Sequence, residues 1–210
     1  MKSSLSRKER LFQQRETDII SAATSLFRIN DLNRISIEQI AQKADIGKGT
    51  VYKHFISKDE MFVRIVMDLN LAMRKEISEI DPGLPFRERL DNIIAVIWDH
   101  DMRDSQFLKR LNLHLLTNDF RRNLKPEILD ELNQLQEEDN LFYLALMRDA
   151  QEKKEIVNEP LESLLFCARA AIDGAILLYW QLESDERVNA SDSERYLQSL
   201  QNFVYRSLMP

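Results

Sequence analysis

The sequence predicts an all-α protein, with an N-terminal three-helix head joined to a larger helical body. Only 4 glycines and 5 prolines occur in 210 residues, so the residues that interrupt helices are scarce. Apolar residues recur at helical spacing along most of the chain. No segment of useful length alternates apolar and polar residues as a half-buried strand does. These three observations favour long helices over many short strands.

The first helix is predicted from about Gln13 to Ile29, because its apolar residues fall on one face. That face holds Ile19, Ile20, Ala23, Leu26 and Phe27. Asn30 and Asp31 follow, and both residue types tolerate the left-handed backbone that often ends a helix. We therefore expect the helix to end there in that conformation.

Residues 36–55 have the pattern of a helix-turn-helix. Ser36, with Gln39 three residues later, predicts a capping box at the start of the second helix. The turn is predicted at residues 45–47, and the third helix at Lys48–Phe55. In a helix-turn-helix the second of the two helices lies in the major groove of DNA. The pattern therefore implies a ligand as well as a fold.

The remaining helices follow from caps, prolines and periodicity. Ser57 and Glu60 predict a second capping box, which opens a fourth helix ending near Ile80. A break with two prolines and a glycine occupies residues 81–85. Beyond it, helices are predicted at about 86–100, 104–117, 126–153, 161–183 and 192–208. We expect two domains, a head of residues 1–60 and an effector-binding and dimerisation body of residues 61–210.

Charge is divided unevenly between these two parts. The net charge of the chain is −6 at pH 7. Residues 1–60 hold 11 Lys/Arg against 8 Asp/Glu, a net of +3, and the remainder holds 18 against 27, a net of −9. Basic residues are concentrated at the start, at Lys2, Arg7, Lys8, Arg10 and Arg15. A positive head on an acidic body suits polyanion binding by the head, although a solvated N-terminal tail would carry the same charge.

Composition also bounds the class of protein. Hydrophobic residues make up 44% and charged residues 30%, as is typical of soluble globular chains. The single cysteine, Cys167, excludes an intrachain disulfide and fits a reducing compartment. The N-terminus lacks the apolar stretch of a signal peptide. The apolar run at residues 164–180 is interrupted by Arg169 and Asp173, which predicts a buried helix rather than a membrane span. We expect a cytoplasmic protein.

The segment from Ile40 to Glu60 combines small, basic and aromatic residues at fixed spacing. Its elements are Ile40-Ala41, Ala44, the run GKGTVYKHF at residues 47–55, and Lys58-Asp59-Glu60. In this arrangement it closely resembles the DNA-binding head of the TetR family of transcriptional regulators, over about residues 14–65. The resemblance implies a homodimeric regulator, by family habit a repressor, whose variable helical body binds a small effector. Asp45 stands where the family usually has glycine, and aspartate tolerates that backbone at a modest cost.

The start of the third helix supplies the first candidates for DNA contact. The N-terminal end of a recognition helix faces the bases in the major groove. Lys48 and Thr50 lie at that end, so they are candidates for base or phosphate contact. Gly49 has no side chain and would let the backbone approach the DNA closely.

Further candidates would contact phosphates on either side of the groove. Tyr52, Lys53 and His54 follow on the same short helix. Ser36 and Lys58 each lie at the start of a helix, where backbone N–H groups favour phosphate. The basic arm before Gln13 could reach phosphates or the minor groove.

The last two helices are candidates for a homodimer interface. Two heads related by a two-fold axis would bind a palindromic operator with half-sites about 34–36 Å apart. The interface candidates are Leu164, Leu165, Ala168, Ala171, Ile172, Ala175, Leu178, Tyr179, Leu200 and Phe203. Asp173-Gly174 is also similar to the dimerisation segment of the family. The alternative is that these residues only close the core of one protomer.

Aromatic, Met and polar residues of the body are candidates for an effector pocket. They are Trp98, His100, Phe107, His114, Phe142, Tyr143, Met147, Cys167, Arg169 and Trp180. Such residues at helical spacing also form plain cores, so core packing is the alternative for each of them. Arg169 and Asp173, spaced i and i+4, would form either an ion pair or a contact for an anionic ligand.

A small enzyme and a purely structural helical protein are the competing interpretations. The three histidines, at positions 54, 100 and 114, form no HxxxH metal pair, and Cys167 has no evident histidine partner. The run 47–49 lacks the spacing of a phosphate-binding P-loop. We expect no catalytic centre, no metal and no cofactor. A structural scaffold would leave the positive head unexplained.

Overall fold

The computed structural model of the protein describes residues 6–117 and 119–209, and its regular structure there is helical throughout. The helices are α1 (Arg7–Ile29), α2 (Ile37–Lys43), α3 (Lys48–His54), α4 (Lys58–Ser78), α5 (Phe86–Arg103), α6 (Ser105–Thr117), α7 (Pro126–Glu152), α8 (Leu161–Ser184) and α9 (Ala190–Leu208). Two short 3₁₀ helices, at Leu32–Arg34 and Phe120–Asn123, lie between them. The predicted all-α class is confirmed. The basic residue Lys2 lies outside the described residues.

Helix α1 differs from its prediction at both ends. It begins at Arg7, because Ser6 and Glu9 form a capping box in which the Glu9 amide donates to Ser6 Oγ and the Ser6 amide donates to Glu9 Oε2. Much of the expected basic arm is therefore helical. The expected left-handed end is wrong, since Asn30 is extended, with φ −132° and ψ 165°. Its side-chain amide instead donates to the carbonyl of Leu26 at 2.9 Å, which satisfies a group at the helix end.

The described residues divide into two compact units. Unit 1 holds residues up to 69 together with 110–132, and unit 2 holds 70–109 together with the residues from 133 onwards. Helices α4, α6 and α7 each contribute residues to both units. The division of the sequence at residue 60 stays a prediction.

The core of unit 1 is built around α1 to α3 and the start of α4. Its fully buried apolar side chains include Ile19, Ala23, Phe27, Ile40, Val51, Met61 and Phe62. The rings of Phe27 and Phe62 pack with their centroids 4.8 Å apart. Burial of these side chains fixes the inner face of α3 and leaves its outer face to solvent.

The core of unit 2 is built around α5, α8 and α9. Trp98, Tyr179 and Trp180 are buried there, and each polar tip has a partner. Trp98 Nε1 donates to Ser193 Oγ at 2.8 Å, and Trp180 Nε1 donates to the carbonyl of Asp101 at 3.2 Å. Such partners allow large aromatic side chains to be buried without an unsatisfied donor.

Within the described parts of the chain, no helix combines the length and the apolar character that crossing a membrane requires.

Candidate nucleic-acid interface

The turn between α2 and α3 sets the geometry of the helix-turn-helix. Asp45 has a positive φ of 53°, so it occupies the left-handed region where glycine is favoured. The amide of Ile46 donates to the carbonyl of Ala41 at 3.0 Å, which closes the end of α2. The chain then leaves the turn through Gly47, which is extended, with φ −74° and ψ 145°. The conformation expected for Asp45 is present.

Helix α2 begins with the predicted capping box. Ser36 Oγ accepts from the amide of Gln39 at 3.2 Å, and Gln39 Oε1 accepts from the amide of Ser36 at 2.8 Å. Both partners thereby satisfy amides that the helix leaves open. The side-chain oxygen of Ser36 already acts as the helix cap, and the residue is exposed to solvent. Its contact with a phosphate stays a prediction.

Helix α3 presents two different faces. Val51 and the following Phe55 are buried in the core of unit 1. Lys48, Gly49, Tyr52 and Lys53 are exposed, with Tyr52 at 47% exposure. A Cβ added at Gly49 would meet no atom within 4 Å, so the protein itself leaves that surface open. Thr50 lies between the two faces and is half-buried.

Lys48 forms an ion pair with Glu38 of α2. Its ammonium donates a short hydrogen bond to Glu38 Oε1, and both side chains are largely exposed. This hydrogen bond lowers the pKa of Glu38 and raises the pKa of Lys48. The Lys48 ammonium also lies 5.8 Å from the centroid of the Tyr52 ring. The first basic residue of α3 is therefore charged and held at the solvent face, although a carboxylate accompanies it.

His54 is placed inside rather than on the outer face of α3. It is only 7% exposed, and its ring packs on Phe12 of α1 with centroids 4.1 Å apart. Its Nδ1 lies 3.6 Å from Glu16 Oε1. A side chain covered in this way fixes α1 against the end of α3, so we correct the expected phosphate contact of His54 to a packing role.

Lys58 is also engaged within unit 1. Its ammonium donates to the carbonyls of Leu32 at 3.1 Å and Ile35 at 3.0 Å. These carbonyls belong to the segment between α1 and α2, so Lys58 ties that segment to the start of α4. Its predicted phosphate contact would require this ammonium to leave or share those acceptors.

The ten pocket candidates are not brought together as one wall. Trp98, Phe107 and Met147 are buried in the core of unit 2, whereas His114 belongs to unit 1. There, His114 Nε2 lies 3.0 Å from Asp59 Oδ1. Burial gives Trp98, Phe107 and Met147 a role in the core, which is the alternative stated for each candidate.

Phe142, Tyr143 and Arg169 are further pocket candidates, on α7 and α8. Phe142 is exposed, and its ring meets the half-buried Tyr143 edge to face at 5.1 Å. Burial, followed by the charge of Asp139, raises the pKa of Tyr143 to about 12. Arg169 is exposed and donates to Asn140 Oδ1 at 2.9 Å.

Arg169 lines an open groove between α7 and α8, with a volume of about 530 Å³. The groove is lined by Glu137, Asn140, Leu141, Leu144, Glu162, Leu165, Phe166, Arg169, Ala170 and Asp173. Its lining combines apolar and charged side chains, which could hold a small molecule or a second protein surface. Of the ten pocket candidates, Arg169 is the one that lines this groove.

The interface candidates on α8 and α9 are divided between core and surface. Ala168, Ile172, Tyr179 and Leu200, like Leu165, are buried within unit 2, and Leu164, Ala171 and Ala175 are half-buried. Because a partner cannot cover side chains that are already buried, we correct these five buried candidates to core residues. Phe203 and Leu178 are exposed at 64% and 55%.

Two exposed apolar residues on α8, Phe166 and Leu177, were not among the predicted interface residues. Phe166 is 73% exposed and Leu177 also faces solvent, on a face that includes Cys167, Ala170 and Gly174. The spacing of 166, 170, 174 and 177 places them on one side of a helix. This helix is apolar around most of its circumference, so periodicity alone does not distinguish its inner from its outer side.

Over residues 6–117 and 119–209, no group of three or more His, Cys, Asp or Glu side chains is arranged to hold a metal ion.

One protein-family model and several curated transcriptional regulators are similar to parts of this chain. A family model for bacterial regulatory proteins of the tetR family matches residues 19–65. The uncharacterized HTH-type transcriptional regulator YhgD of Bacillus subtilis is 32% identical over 80 residues, which are 38% of this chain and 42% of YhgD. The HTH-type transcriptional regulator UidR of Escherichia coli is 26% identical over 144 residues, which are 69% of this chain and 70% of UidR.

Solved structures resemble the chain over nearly its whole length. The TetR family regulator PfmR of Thermus thermophilus has a TM-score of 0.67 at 15% identity, covering 90% of this chain and 97% of PfmR. The fatty acid degradation regulator FadR of Bacillus halodurans has a TM-score of 0.66 at 14% identity, covering 91% of this chain and 94% of FadR. At this identity the likeness shows a shared fold.

Proposed function

Because the chain belongs to the TetR family of helix-turn-helix transcriptional regulators, we propose that it is a repressor that binds a palindromic DNA operator as a homodimer and is released by a small effector. The observation that carries this proposal is the outer face of α3. Lys48, Gly49, Tyr52 and Lys53 are exposed there, while Val51 and Phe55 anchor the opposite side. A regulator of this kind is a binding protein, and we assign it no catalytic activity.

The outer face of α3 suits the major groove of DNA. A recognition helix enters that groove with its N-terminal residues toward the bases. Lys48 and the backbone at Gly49 would approach base edges, while Tyr52 and Lys53 would contact phosphates beside them. Each lysine that neutralises a phosphate adds about one unit to the salt dependence of binding and carries no sequence preference itself.

Dimerisation is proposed through the exposed apolar face of α8 together with α9. Phe166, Leu177, Leu178 and Phe203 are large apolar side chains on this surface, and such patches on a soluble protein often mark an interface. A two-fold axis through this surface would pair two heads on one operator. The small residue Gly174 would allow two copies of α8 to approach closely, whereas Phe166 and Ala170 also line the groove between α7 and α8.

The effector is proposed to occupy the groove between α7 and α8. Leu144 and Leu165 would contact its apolar part, and Arg169 and Asp173 its polar groups. A ligand shifts the equilibrium only if it prefers the form that does not bind DNA. Operator affinity measured with and without a ligand bound to the body tests this step, and equal affinities would rule out release by that ligand.

Chromosomal DNA is the proposed partner, so we place the protein in the cytoplasm. The exposed Cys167, the single cysteine of the sequence, is compatible with a reducing compartment.

Selection of duplexes from a random library by the purified protein tests the proposed function. We expect the selected duplex to bind at least about a thousandfold more tightly than random duplex at equal salt. Lys48→Met and Tyr52→Ala should weaken DNA binding. Lys75 is an exposed lysine on α4 in unit 2, so Lys75→Met is the control and should leave binding unchanged. A protein that binds no duplex in dilute buffer would contradict the proposal and favour a scaffold or an enzyme.

A further inference from the structure

A buried carboxylate lies where the chain leaves the recognition helix. Glu60, in the first turn of α4, is 0% exposed. Its Oε2 accepts from the amide of Ile56 at 2.8 Å, and its Oε1 accepts from the amide of Lys125 at 2.6 Å. One carboxylate therefore joins the turn after α3 to the residue that precedes α7.

Lys125 completes this arrangement with its side chain. Its ammonium donates a short hydrogen bond to the carbonyl of His54, the last residue of α3, and lies 3.6 Å from Glu60 Oε2. Carbonyls at the end of a helix lack partners within the helix and favour a positive charge. Lys125 thus satisfies the end of α3 and neutralises the buried carboxylate at once.

A second set of contacts links the same two segments. Ser57 Oγ donates to the carbonyl of Asn123 at 2.8 Å. Asn123 Nδ2 donates in turn to Asp59 Oδ2 at 2.7 Å. Residues 123 and 125 therefore contact the chain on both sides of the turn between α3 and α4. We name His54, Ile56, Ser57, Glu60, Asn123 and Lys125 the exit cluster.

The exit cluster restricts the orientation of α3. A carboxylate removed from water must keep its hydrogen bonds and its counter-charge, so Glu60 can move only together with Ile56 and Lys125. Two turns of helix are too short to hold their own direction in the groove of DNA. The α3 backbone is held at its start by the turn at Asp45 and at its end by this cluster.

We propose that Lys125 and Glu60 are positioning residues for DNA recognition, which hold the recognition helix at its C-terminal end from a segment about 65 residues away in sequence. This inference rests on the proposed function. It assigns specificity to residues outside the helix-turn-helix. Displacement of residues 123–125 at the start of α7 would loosen α3 and reduce selective binding, without removing any side chain from the DNA-facing surface.

Lys125→Met tests the proposal in the full-length protein, because it keeps the aliphatic stem and removes the ammonium. Lys125→Arg keeps a positively charged donor, and Lys75→Met is the matched control. Affinity is measured for the selected operator and for random duplex at several salt concentrations, below the temperature at which circular dichroism shows unfolding. We expect Lys125→Met to lose at least about tenfold in operator affinity and less than about threefold on random duplex. Lys125→Arg should restore the wild-type ratio of operator affinity to random-duplex affinity.

A direct phosphate contact by Lys125 gives a different result. If Lys125 contacted a phosphate, Lys125→Met would reduce the affinity for both duplexes equally and lower the salt dependence of binding by about one unit. That result, or an unchanged affinity ratio in Lys125→Met, would overturn the proposal.

Hydrogen exchange separates this inference from the proposed function. Amides of residues 48–56 should exchange faster in Lys125→Met and in Glu60→Gln than in the wild type, and Lys75→Met should match the wild type. If the wild type binds no duplex, the proposed function fails, and the exchange measurement still tests the cluster. Unchanged exchange in both variants would contradict the arrangement itself.

Discussion

Lys48 and Glu38 form an ion pair that joins α3, the proposed recognition helix, to α2. Lys48 is the first residue of α3 and Glu38 lies in the first turn of α2. Both side chains are exposed, so water and salt screen the pair. In a complex with DNA, a phosphate or base oxygen would take the place of the carboxylate as the partner of Lys48.

Glu38→Gln should therefore increase DNA affinity. The substitution removes a negative charge that repels phosphates and competes for the Lys48 ammonium. We expect a gain of about threefold to tenfold at low salt, which shrinks as salt screens the charge. Fluorescence anisotropy with a labelled duplex measures it, with the exposed Glu159→Gln of unit 2 as the control. A lower affinity in Glu38→Gln would mean that the pair itself positions Lys48 for binding.

Position 45 should rank side chains by their tolerance of the left-handed backbone. Asp45 has a φ of 53°, where glycine is unstrained and a β-branched residue is disfavoured. We expect Asp45→Gly to be the most stable, the wild type to be intermediate and Asp45→Val to be the least stable. The free energy of unfolding should differ by about 1 kcal/mol or more between the wild type and Asp45→Val. Chemical denaturation monitored by circular dichroism measures the order. Equal stability of the valine variant would contradict the assigned turn.

Stability should depend on pH through a half-buried carboxylate in unit 2. Burial, and then the charge of Asp173, raises the pKa of Asp101 to about 7. The unfolded chain releases this proton near pH 4, so between about pH 4 and 7 the folded state binds more protons and stability falls as pH rises. The loss is at most about 1.4 kcal/mol per pH unit for one group.

Asp101→Asn should flatten this pH dependence and stabilise the protein at pH 7 to 8. Asparagine keeps the shape of the protonated acid and carries no charge. Denaturation at a series of pH values measures the effect, with the exposed Asp130→Asn as the matched control. A variant that is less stable than wild type at pH 8 would show that the Asp101 carboxylate has a stabilising partner.

The exposed face of α8 and α9 should hold two protomers together. Leu178→Asp and Phe203→Asp place a charge on that face, and we expect each to shift the protein from dimer to monomer at micromolar concentration. Sedimentation velocity measures the change. Leu71→Asp, at an exposed leucine of α4, is the control and should stay dimeric. A dimer that survives both variants would place the interface elsewhere.

Local signals in the sequence predicted the elements of the fold closely. The capping box of Ser36 and Gln39 formed as predicted, because its two hydrogen bonds lie within four residues. Ser6 and Glu9 carry the same signal, and it would have placed the start of α1 correctly had the basic run not been interpreted as an arm. The helix bounds predicted in the body from prolines and apolar periodicity agree with those of the structure to within a few residues.

Roles that depend on distant contacts could not be predicted in this way. Half of the capping box predicted at Ser57 and Glu60 formed, since Ser57 Oγ accepts from the Glu60 amide at 3.1 Å. The carboxylate of Glu60 instead accepts from Ile56 and Lys125. His54 is covered by Phe12 of α1, which no pattern within α3 reveals.

The most direct test of the central claim places a photo-crosslinking amino acid, such as benzoylphenylalanine, on the outer face of α3. Tyr52 is exposed there, and the half-buried Tyr205 of α9 in unit 2 is the matched position. Irradiation with the selected operator should crosslink the protein at position 52, within each half-site, and not at position 205. A protein that shifts the operator in a gel while position 52 gives no crosslink and position 205 does would contradict the account.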